Sequence, residues 1–151
     1  MATRNGNNII SNKELAHLKI TKKYSSPIIF ICNTADDFDT IGHWFTIVIN
    51  TRNKLAYLCD GLNYVQTRKD VLKNIHQFCK INKLNFINLK TKCQQNRSNI
   101  CGYISVFFTA KYVHLTSRNF LQLTSILNRH SVASNESLIL QFVQKHFKFK
   151  I

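Results

Sequence analysis

The chain has 151 residues, 44% of them hydrophobic, which is enough for one domain with a substantial core and too few for two comfortable ones. Its formal net charge of +14 favours a polyanionic partner, nucleic acid first and an anionic membrane second, although solubility or a biased base composition of the gene would also produce it. The polar N-terminus does not resemble a signal peptide, and no apolar run is long enough to span a bilayer. We therefore expect a soluble, non-secreted protein with no membrane partner.

The cysteines are odd in number and contain no Cys-x-x-Cys pair. Cys32, Cys59 and Cys79 lie inside apolar stretches, where a free cysteine behaves as a small hydrophobic side chain. This favours free thiols in a reducing compartment over a disulfide scaffold. A zinc site drawn from Cys79, Cys93 and the histidines lacks the usual ligand spacing, so we expect no metal.

In chain order, residues 1–24 are predicted to be loosely ordered, with a short helix favoured from Lys13 to Lys23. The β-branched and aromatic run Ile28–Cys32 predicts a buried strand. The loop that follows carries an acidic cluster, which is either simply solvated or a surface for basic substrate segments. The cluster consists of Asp36, Asp37 and Asp39.

Two further strands, His43–Asn50 and Leu55–Cys59, flank a turn at residues 51–54 and predict a hairpin. His43 opens the first strand and Asp60 follows the second, so antiparallel pairing brings both to one end of the sheet. The aspartate could then accept a hydrogen bond from the imidazole and fix its orientation.

Thr67 and Asp70 form a capping-box pattern before an amphipathic helix, and Leu84–Leu89 predicts another strand. Basic residues dominate from Arg68 to Arg97, either as a solvated surface or as a nucleic-acid contact. The loop that ends with Ser98 and Asn99, both candidate caps, leads into a buried helix starting at Cys101. Residues 119–129 and 135–147 predict two more helices, the last capped by Ser134 or Asn135, with an apolar side formed by Leu138, Phe142, Val143 and Phe147.

These elements predict an α+β fold in which residues 25–151 form a single domain. Its centre is a mostly antiparallel or mixed sheet of about four to five strands, packed against the helix that starts at Cys101. A cysteine at a helix N-terminus favours the thiolate over the thiol. Three of the four glycines adjoin the candidate site residues His43, Asp60 and Cys101, which indicates close backbone approach there. We interpret these three residues as the centre of a cysteine hydrolase.

The chain resembles the adenovirus-type cysteine endopeptidases, viral maturation proteases distantly related to the SUMO-specific proteases. The resemblance covers roughly residues 28–147. It rests on Asn33-Thr34-Ala35 before His43-Trp44, on Tyr57-Leu58 before an acid and Gly61, and on a glutamine ahead of Cys101-Gly102. The chain differs in being shorter at both ends, in lacking the family's glycine- and aromatic-rich N-terminal segment, and in having Asp60 where many adenoviral members have Glu.

The resemblance implies a papain-like or adenain-like fold and a Cys101–His43–Asp60 mechanism, with Trp44 packed beside the site. The oxyanion donor would be Gln94, at the adenoviral spacing, or Gln95, at the SUMO-protease spacing. The substrates would be viral precursor polypeptides, cleaved after a small residue. The enzyme would be a monomer that acts in the host nucleus and in the virion. DNA and an activating peptide are cofactors in adenoviral members, and Cys79 and Cys93 are the candidates here for the peptide's disulfide. The alternatives are a SUMO- or ubiquitin-type isopeptidase and a non-catalytic, basic DNA-binding protein on a protease fold.

Overall fold

A computed structural model describes residues 7–22, 24, 26–36 and 41–148. Within these residues five strands form one sheet, in which each strand neighbours the next one along the chain. The strands are β1 (Asn7–Ser11), β2 (Ile28–Asn33), β3 (Trp44–Asn50), β4 (Leu55–Cys59) and β5 (Asn85–Asn88). The helices are α1 (Asn12–Leu15), α2 (Lys69–Asn82), α3 (Cys101–His114), α4 (Ser117–Leu127) and α5 (Val132–Phe147), and a short 3-10 turn covers Val65–Thr67.

The sheet is mixed, because the two edge strands run parallel to their neighbours while the three central strands are antiparallel. β2 pairs antiparallel with β3 and β3 with β4, whereas β1–β2 and β4–β5 are parallel pairs. The predicted hairpin of β3 and β4 is therefore confirmed, as is the α+β class with a sheet of about five strands. The hairpin brings the residue before β3 and the residue after β4 to the same end of the sheet.

Both faces of the sheet are covered at its centre, which explains why β2, β3 and β4 have nearly continuous apolar sequences rather than alternating ones. On one face Phe30 packs edge-on against Phe78 of α2, with ring centroids 5.7 Å apart. On the other face Ile29 and Val48 belong to a cluster formed with α3, α4 and α5. The prediction of a buried helix beginning at Cys101 is confirmed, since Phe107 and Phe108 of α3 have no exposed surface.

The N-terminal segment is more regular than the sequence predicts. Residues 7–11 form β1, in which Ile9 pairs with Ile31 of β2, so the prediction of a loosely ordered start is wrong for this part. The predicted helix from Lys13 is shorter: α1 ends at Leu15 and is capped by Ser11 and Glu14, whose side chains and backbone N–H groups bond reciprocally. A strand with few apolar residues forms here because β2 supplies its hydrogen-bond partners.

Two predicted helix caps are also wrong. The Thr67 hydroxyl donates to the carbonyl of Tyr64 instead of capping α2, and Asp70 forms an ion pair with Arg68. α3 begins after Ile100 with no side-chain cap, so neither Ser98 nor Asn99 serves that role.

The last two helices also begin earlier than predicted. α4 is capped by Thr116 and α5 by Ser131. The buried side of α5 is formed by residues spaced by four, while Leu138 and Phe147 of the predicted apolar side are 53% and 43% exposed. The buried residues of α5 are Asn135, Ile139 and Val143.

Candidate active site

His43 is held at the start of β3 by hydrogen bonds to the chain that leaves β2. The backbone N–H of His43 donates to the Thr34 hydroxyl, and the N–H of Thr34 donates to the His43 carbonyl, both at 2.9 Å. Gly42, just before it, passes so close to Asn33 that an added Cβ would collide with the Asn33 side chain. The loop is thus closed tightly enough to fix the backbone beneath the imidazole, and Gly42 is required by that closeness.

Asp60 is buried directly after β4, and its carboxylate accepts three hydrogen bonds. Its Oδ1 accepts from the N–H of Leu62 at 3.1 Å and from His43 Nε2 at 2.5 Å, while Oδ2 accepts from the N–H of Val65 at 2.8 Å. Backbone donors of the following turn therefore hold the carboxylate in place. The prediction that His43 and Asp60 meet at one end of the sheet is confirmed.

The imidazole of His43 lies between Asp60 and Cys101. Because Nε2 is bonded to Asp60, Nδ1 is the ring nitrogen left to face the sulfur. Burial of the ring alone would lower its pKa, but hydrogen bonds to Asp60 and Cys101, together with the charges of both, raise the pKa of His43 to about 9. At neutral pH the ring therefore carries a proton and a positive charge.

Cys101 is the first residue of α3 and is partly exposed. Burial alone would raise the pKa of its thiol, but hydrogen bonds from His43 and from the backbone N–H groups of Trp44 and Gly102 lower the pKa below its usual value. Position at a helix N-terminus acts in the same direction. The arrangement thus favours a thiolate–imidazolium pair.

Gln94 and Gln95, which the sequence could not separate, lie in different surroundings. Gln94 is 2% exposed, its backbone N–H donates to Gly61 O at 2.9 Å, and its Nε2 donates to Ser98 O at 2.7 Å. Its Oε1 is buried with no partner among the described residues. Gln95 turns towards α5, where it bonds to Glu136.

Gly61 allows this loop to approach the turn after Asp60. An added Cβ at Gly61 would lie 2.9 Å from Ile104 of α3 and 3.0 Å from the sulfur of Cys93. The Gly61 carbonyl accepts from the N–H groups of both Cys93 and Gln94. A side chain here would push apart α3 and the loop that carries Gln94 and Gln95, which we call the glutamine loop. The glycine is therefore explained by the contact between this loop, α3 and the turn after Asp60.

An open, mostly apolar cleft of about 380 Å³ lies in front of Cys101, within the size range of small-molecule and peptide-side-chain pockets. Trp44 forms part of its wall beside the sulfur, as expected. Ile9 of β1, from the segment predicted to be loosely ordered, contributes another part and is 64% exposed. The other lining residues are Ile31, Asn99, Gly102, Tyr103 and Val106.

Tyr64 is a site residue that the sequence did not indicate. Its ring packs edge-on against the His43 imidazole, with centroids 5.6 Å apart. Arg68 donates to the Tyr64 hydroxyl at 3.3 Å and is itself paired with Asp70. Its position four residues after Asp60 was the only signal in the sequence. That spacing predicts a contact with His43 only when the conformation of the turn after β4 is known.

The remaining cysteines differ from Cys101 in being buried, which confirms that Cys32, Cys59 and Cys79 lie in the interior. Burial raises the pKa of Cys79 to about 11 and that of Cys93 to about 12, the latter with help from nearby carboxylates. Both are therefore poorly placed for a disulfide to an external peptide.

The acidic loop can be followed only in part. Asp36 is exposed and accepts a hydrogen bond from the Asn12 side chain. Asp37 and Asp39 lie outside the described residues, so the interpretation of this loop as a surface for basic substrate segments stays a prediction.

In the part of the chain that the structure describes, no three histidine, cysteine or acidic side chains are grouped to hold a metal ion. No helix in these ranges combines the length and apolar character needed to cross a bilayer. Comparison with protein-family models and with curated proteins finds no significant match. The site must therefore be interpreted from its own geometry.

Proposed function

We propose that the protein is a cysteine endopeptidase in which Cys101 is the nucleophile, His43 the proton donor and Asp60 the group that orients His43. The observation that carries the proposal is the imidazole of His43, hydrogen-bonded to a buried carboxylate on one side and to a partly exposed thiol on the other. A buried His–Asp pair alone would be a common structural feature. A structural role does not account for the cysteine at a helix start facing an open cleft.

In the proposed reaction the Cys101 thiolate attacks the carbonyl carbon of a peptide bond, and the carbonyl oxygen becomes an oxyanion. The tetrahedral species collapses as His43 gives its proton to the departing amine nitrogen, leaving a thioester on Cys101. Water then attacks the thioester, His43 takes a proton from it, and the thiolate and a carboxylic acid are released. Asp60 keeps Nε2 protonated throughout, so that Nδ1 is the nitrogen that bonds to the sulfur and gives its proton to the leaving group.

Gln94 is the better candidate for the oxyanion donor. The N–H of Cys101, as the first helical residue, has no acceptor within its own helix and could provide one hydrogen bond. Gln94 keeps a second amide hydrogen beyond the one given to Ser98 O, whereas Gln95 is bound to Glu136 at the surface. This favours the adenoviral-type spacing over the SUMO-protease spacing. By the resemblance, the substrates would be viral precursor polypeptides and the fold an adenain-like variant of the papain-like fold.

The proposal is tested by covalent labelling with iodoacetamide at pH 6. At this pH an ordinary thiol with a pKa of about 8.5 is roughly 0.3% thiolate, so we expect label on Cys101 and almost none on the four buried cysteines. Mass spectrometry of the digested protein locates the label, and Cys101→Ala is the control that should remove it. Label spread evenly over the cysteines, or equal labelling of the Cys101→Ala protein, would contradict the proposed nucleophile.

Nucleic-acid binding is a second candidate function, favoured by one pocket at the other end of the sheet. A shallow pocket of about 330 Å³ has an apolar floor that includes Ile20, Ile49, Ile81 and Leu84, and three exposed lysines contribute to its lining. Lys19, Lys54 and Lys83 come from three separate segments, and none of the described residues that line the pocket is acidic. Lys54 lies in the β3–β4 turn, at the end of β3 opposite His43, so a bound phosphate backbone would leave the cleft open.

Replacing Lys19, Lys54 and Lys83 together by Gln is expected to weaken binding to a duplex of about 20 base pairs at least tenfold. The slope of log affinity against log salt should also shrink by nearly three, since each phosphate contact that forms on binding releases about 0.9 counterion. Fluorescence anisotropy at several salt concentrations measures both. The matched control is the triple change to Gln at Arg118, Arg129 and Lys145, which lowers the net charge equally. These residues are exposed on α4, in the α4–α5 connection and on α5, respectively. Equal losses in the two triples would mean that bulk charge alone binds DNA.

A further inference from the structure

We propose that Glu136 is a positioning residue for the oxyanion side of the site, because it holds the loop that carries Gln94. This inference rests on the proposed function. Glu136 Oε2 accepts a hydrogen bond from the backbone N–H of Gln95 at 2.8 Å, and Oε1 accepts from Gln95 Nε2 at 3.4 Å. Both carboxylate oxygens thus act on the residue directly after Gln94.

The two neighbouring residues of this loop are held from opposite sides. The N–H of Gln94 donates inward to Gly61 O, beside Asp60, and the N–H of Gln95 donates outward to Glu136. The Gln95 carbonyl in turn accepts from the N–H of Ser98 at 3.0 Å. Because the peptide units before and after the Gln94 Cα are each held by a hydrogen bond, the direction in which the Gln94 side chain leaves the backbone is fixed with them.

Glu136 is itself on a rigid support. It lies in the first part of α5, and the adjacent Asn135 is buried and donates through Nδ2 to the carbonyl of Leu127 at 2.7 Å. Ile139 and Val143 anchor the same helix in the core. A carboxylate near a helix N-terminus is favoured by the helix dipole, so this position suits a fixed negative group.

The partner of Glu136 is unusual for so basic a chain. Lysine and arginine number 21 against seven acids, yet neither of the two ion pairs found among the described residues includes Glu136. Its hydrogen bonds go instead to one residue of the glutamine loop. Among the hydrogen bonds of the described residues, these two are the ones that join that loop to α5. Glu136 therefore links α5 by hydrogen bonds to the loop that carries Gln94.

Loss of Glu136 should affect oxyanion stabilisation without affecting the thiolate. Two reagents separate these effects. Iodoacetamide alkylates a thiolate by displacement of iodide and forms no oxyanion. p-Nitrophenyl acetate is attacked at its carbonyl carbon, passes through an oxyanion, and releases p-nitrophenolate as the acetyl thioester forms. The ratio of acylation rate to alkylation rate at Cys101 therefore reports on the oxyanion site, and neither reagent requires a known peptide substrate.

We expect Glu136→Ala to lower this ratio about tenfold, less than the roughly 100-fold typical of losing an oxyanion donor itself. Alkylation at pH 6 should stay within twofold of the native rate. Glu136→Gln should largely restore the ratio, because its amide oxygen can still accept from the Gln95 N–H. Glu14→Ala is the matched control: it removes another carboxylate that bonds to a backbone N–H, at the start of α1, and should leave the ratio unchanged.

A double-mutant cycle tests whether Glu136 acts through Gln94. In a Gln94→Ala background, Glu136→Ala should cause no further loss in the ratio. Additive losses, an unchanged ratio in the single variant, or an equal fall in alkylation and acylation would each overturn the inference. Acylation that persists fully in Cys101→Ala, or a wild type with no Cys101 reactivity at pH 6, would instead overturn the proposed function.

Discussion

Asp60→Asn is expected to reduce peptide hydrolysis by about 10³–10⁴-fold, the scale associated with losing the carboxylate that orients a catalytic histidine. The reason is specific to the hydrogen bonds that Asp60 accepts. Oδ1 accepts hydrogen bonds from His43 Nε2 and from the N–H of Leu62, and Oδ2 accepts one from the N–H of Val65. An amide has only one acceptor oxygen, so one of these positions must receive an NH₂ group.

Either orientation of the new amide has a cost. If the NH₂ group takes the place of Oδ1, it faces His43 and forces Nε2 to accept, which moves the ring proton to Nδ1 and prevents the imidazolium. If it takes the place of Oδ2, it meets the N–H of Val65 in a buried position. Such an unsatisfied pair costs about 1–3 kcal/mol of folding free energy. We therefore expect a lower free energy of unfolding as well as lower activity.

The measurements are kcat/KM on peptidyl-Gly-Gly-aminocoumarin substrates and the urea-unfolding midpoint of the same samples. Asp70→Asn is the matched control, since this aspartate is exposed, forms a surface ion pair with Arg68 and should change both values little. A variant that loses stability but hydrolyses the substrate at the native rate would show that Asp60 is a structural residue alone.

His43→Ala is expected to lower the alkylation rate of Cys101 at pH 6 by about 30-fold. Without the imidazolium the thiol returns towards an ordinary pKa near 8.5, and its thiolate fraction at pH 6 falls to roughly 0.3%. Part of this loss is offset, because a thiolate of higher pKa is intrinsically more nucleophilic. The rate constant of iodoacetamide labelling between pH 5 and pH 10 measures the change.

The pH dependence of the wild type follows from the same pair of groups. The reactive form needs a deprotonated Cys101, whose pKa is lowered, and hydrolysis also needs a protonated His43, whose pKa is raised to about 9. Hydrolysis should therefore rise with pH through the titration of Cys101 and fall again as pH passes about 9. Alkylation needs only the thiolate and should show no such fall. A His130→Ala protein, which changes an exposed histidine before α5, should behave like the wild type in both assays. An unchanged profile in His43→Ala would refute the ion pair.

The residues of the candidate site could be predicted because their order and local signals are written in short stretches of chain. The two apolar runs around the turn at residues 51–54 predict a hairpin, and a hairpin necessarily brings its outer ends together. This was sufficient to place His43 beside Asp60. A glycine next to each site residue, and a cysteine between a polar loop and an apolar helix, are likewise local patterns.

The choice between Gln94 and Gln95 needed the tertiary structure, because two adjacent residues with the same side chain have no distinguishing local signal. What separates them is that the turn after Asp60 accepts from one backbone N–H while α5 supplies Glu136 to the next. Tyr64 was missed for the same reason, since its contact with His43 exists only once the turn after β4 has closed.

By itself, the sequence determined the α+β class, the three central strands, and the helix that begins at Cys101, because continuous β-branched runs and 3.6-residue periodicity arise from interactions within a few residues. Only the tertiary structure decided that residues 7–11 are an edge strand, where helices α4 and α5 begin, and which side of α5 is buried. These features depend on partners distant in the chain: β1 exists through hydrogen bonds from β2, and the buried side of α5 is the one that faces α3 and α4. The order of side chains along the chain determines which segments favour a helix or a strand. Contacts between distant segments, by contrast, are stabilised by groups that meet only after the chain has folded.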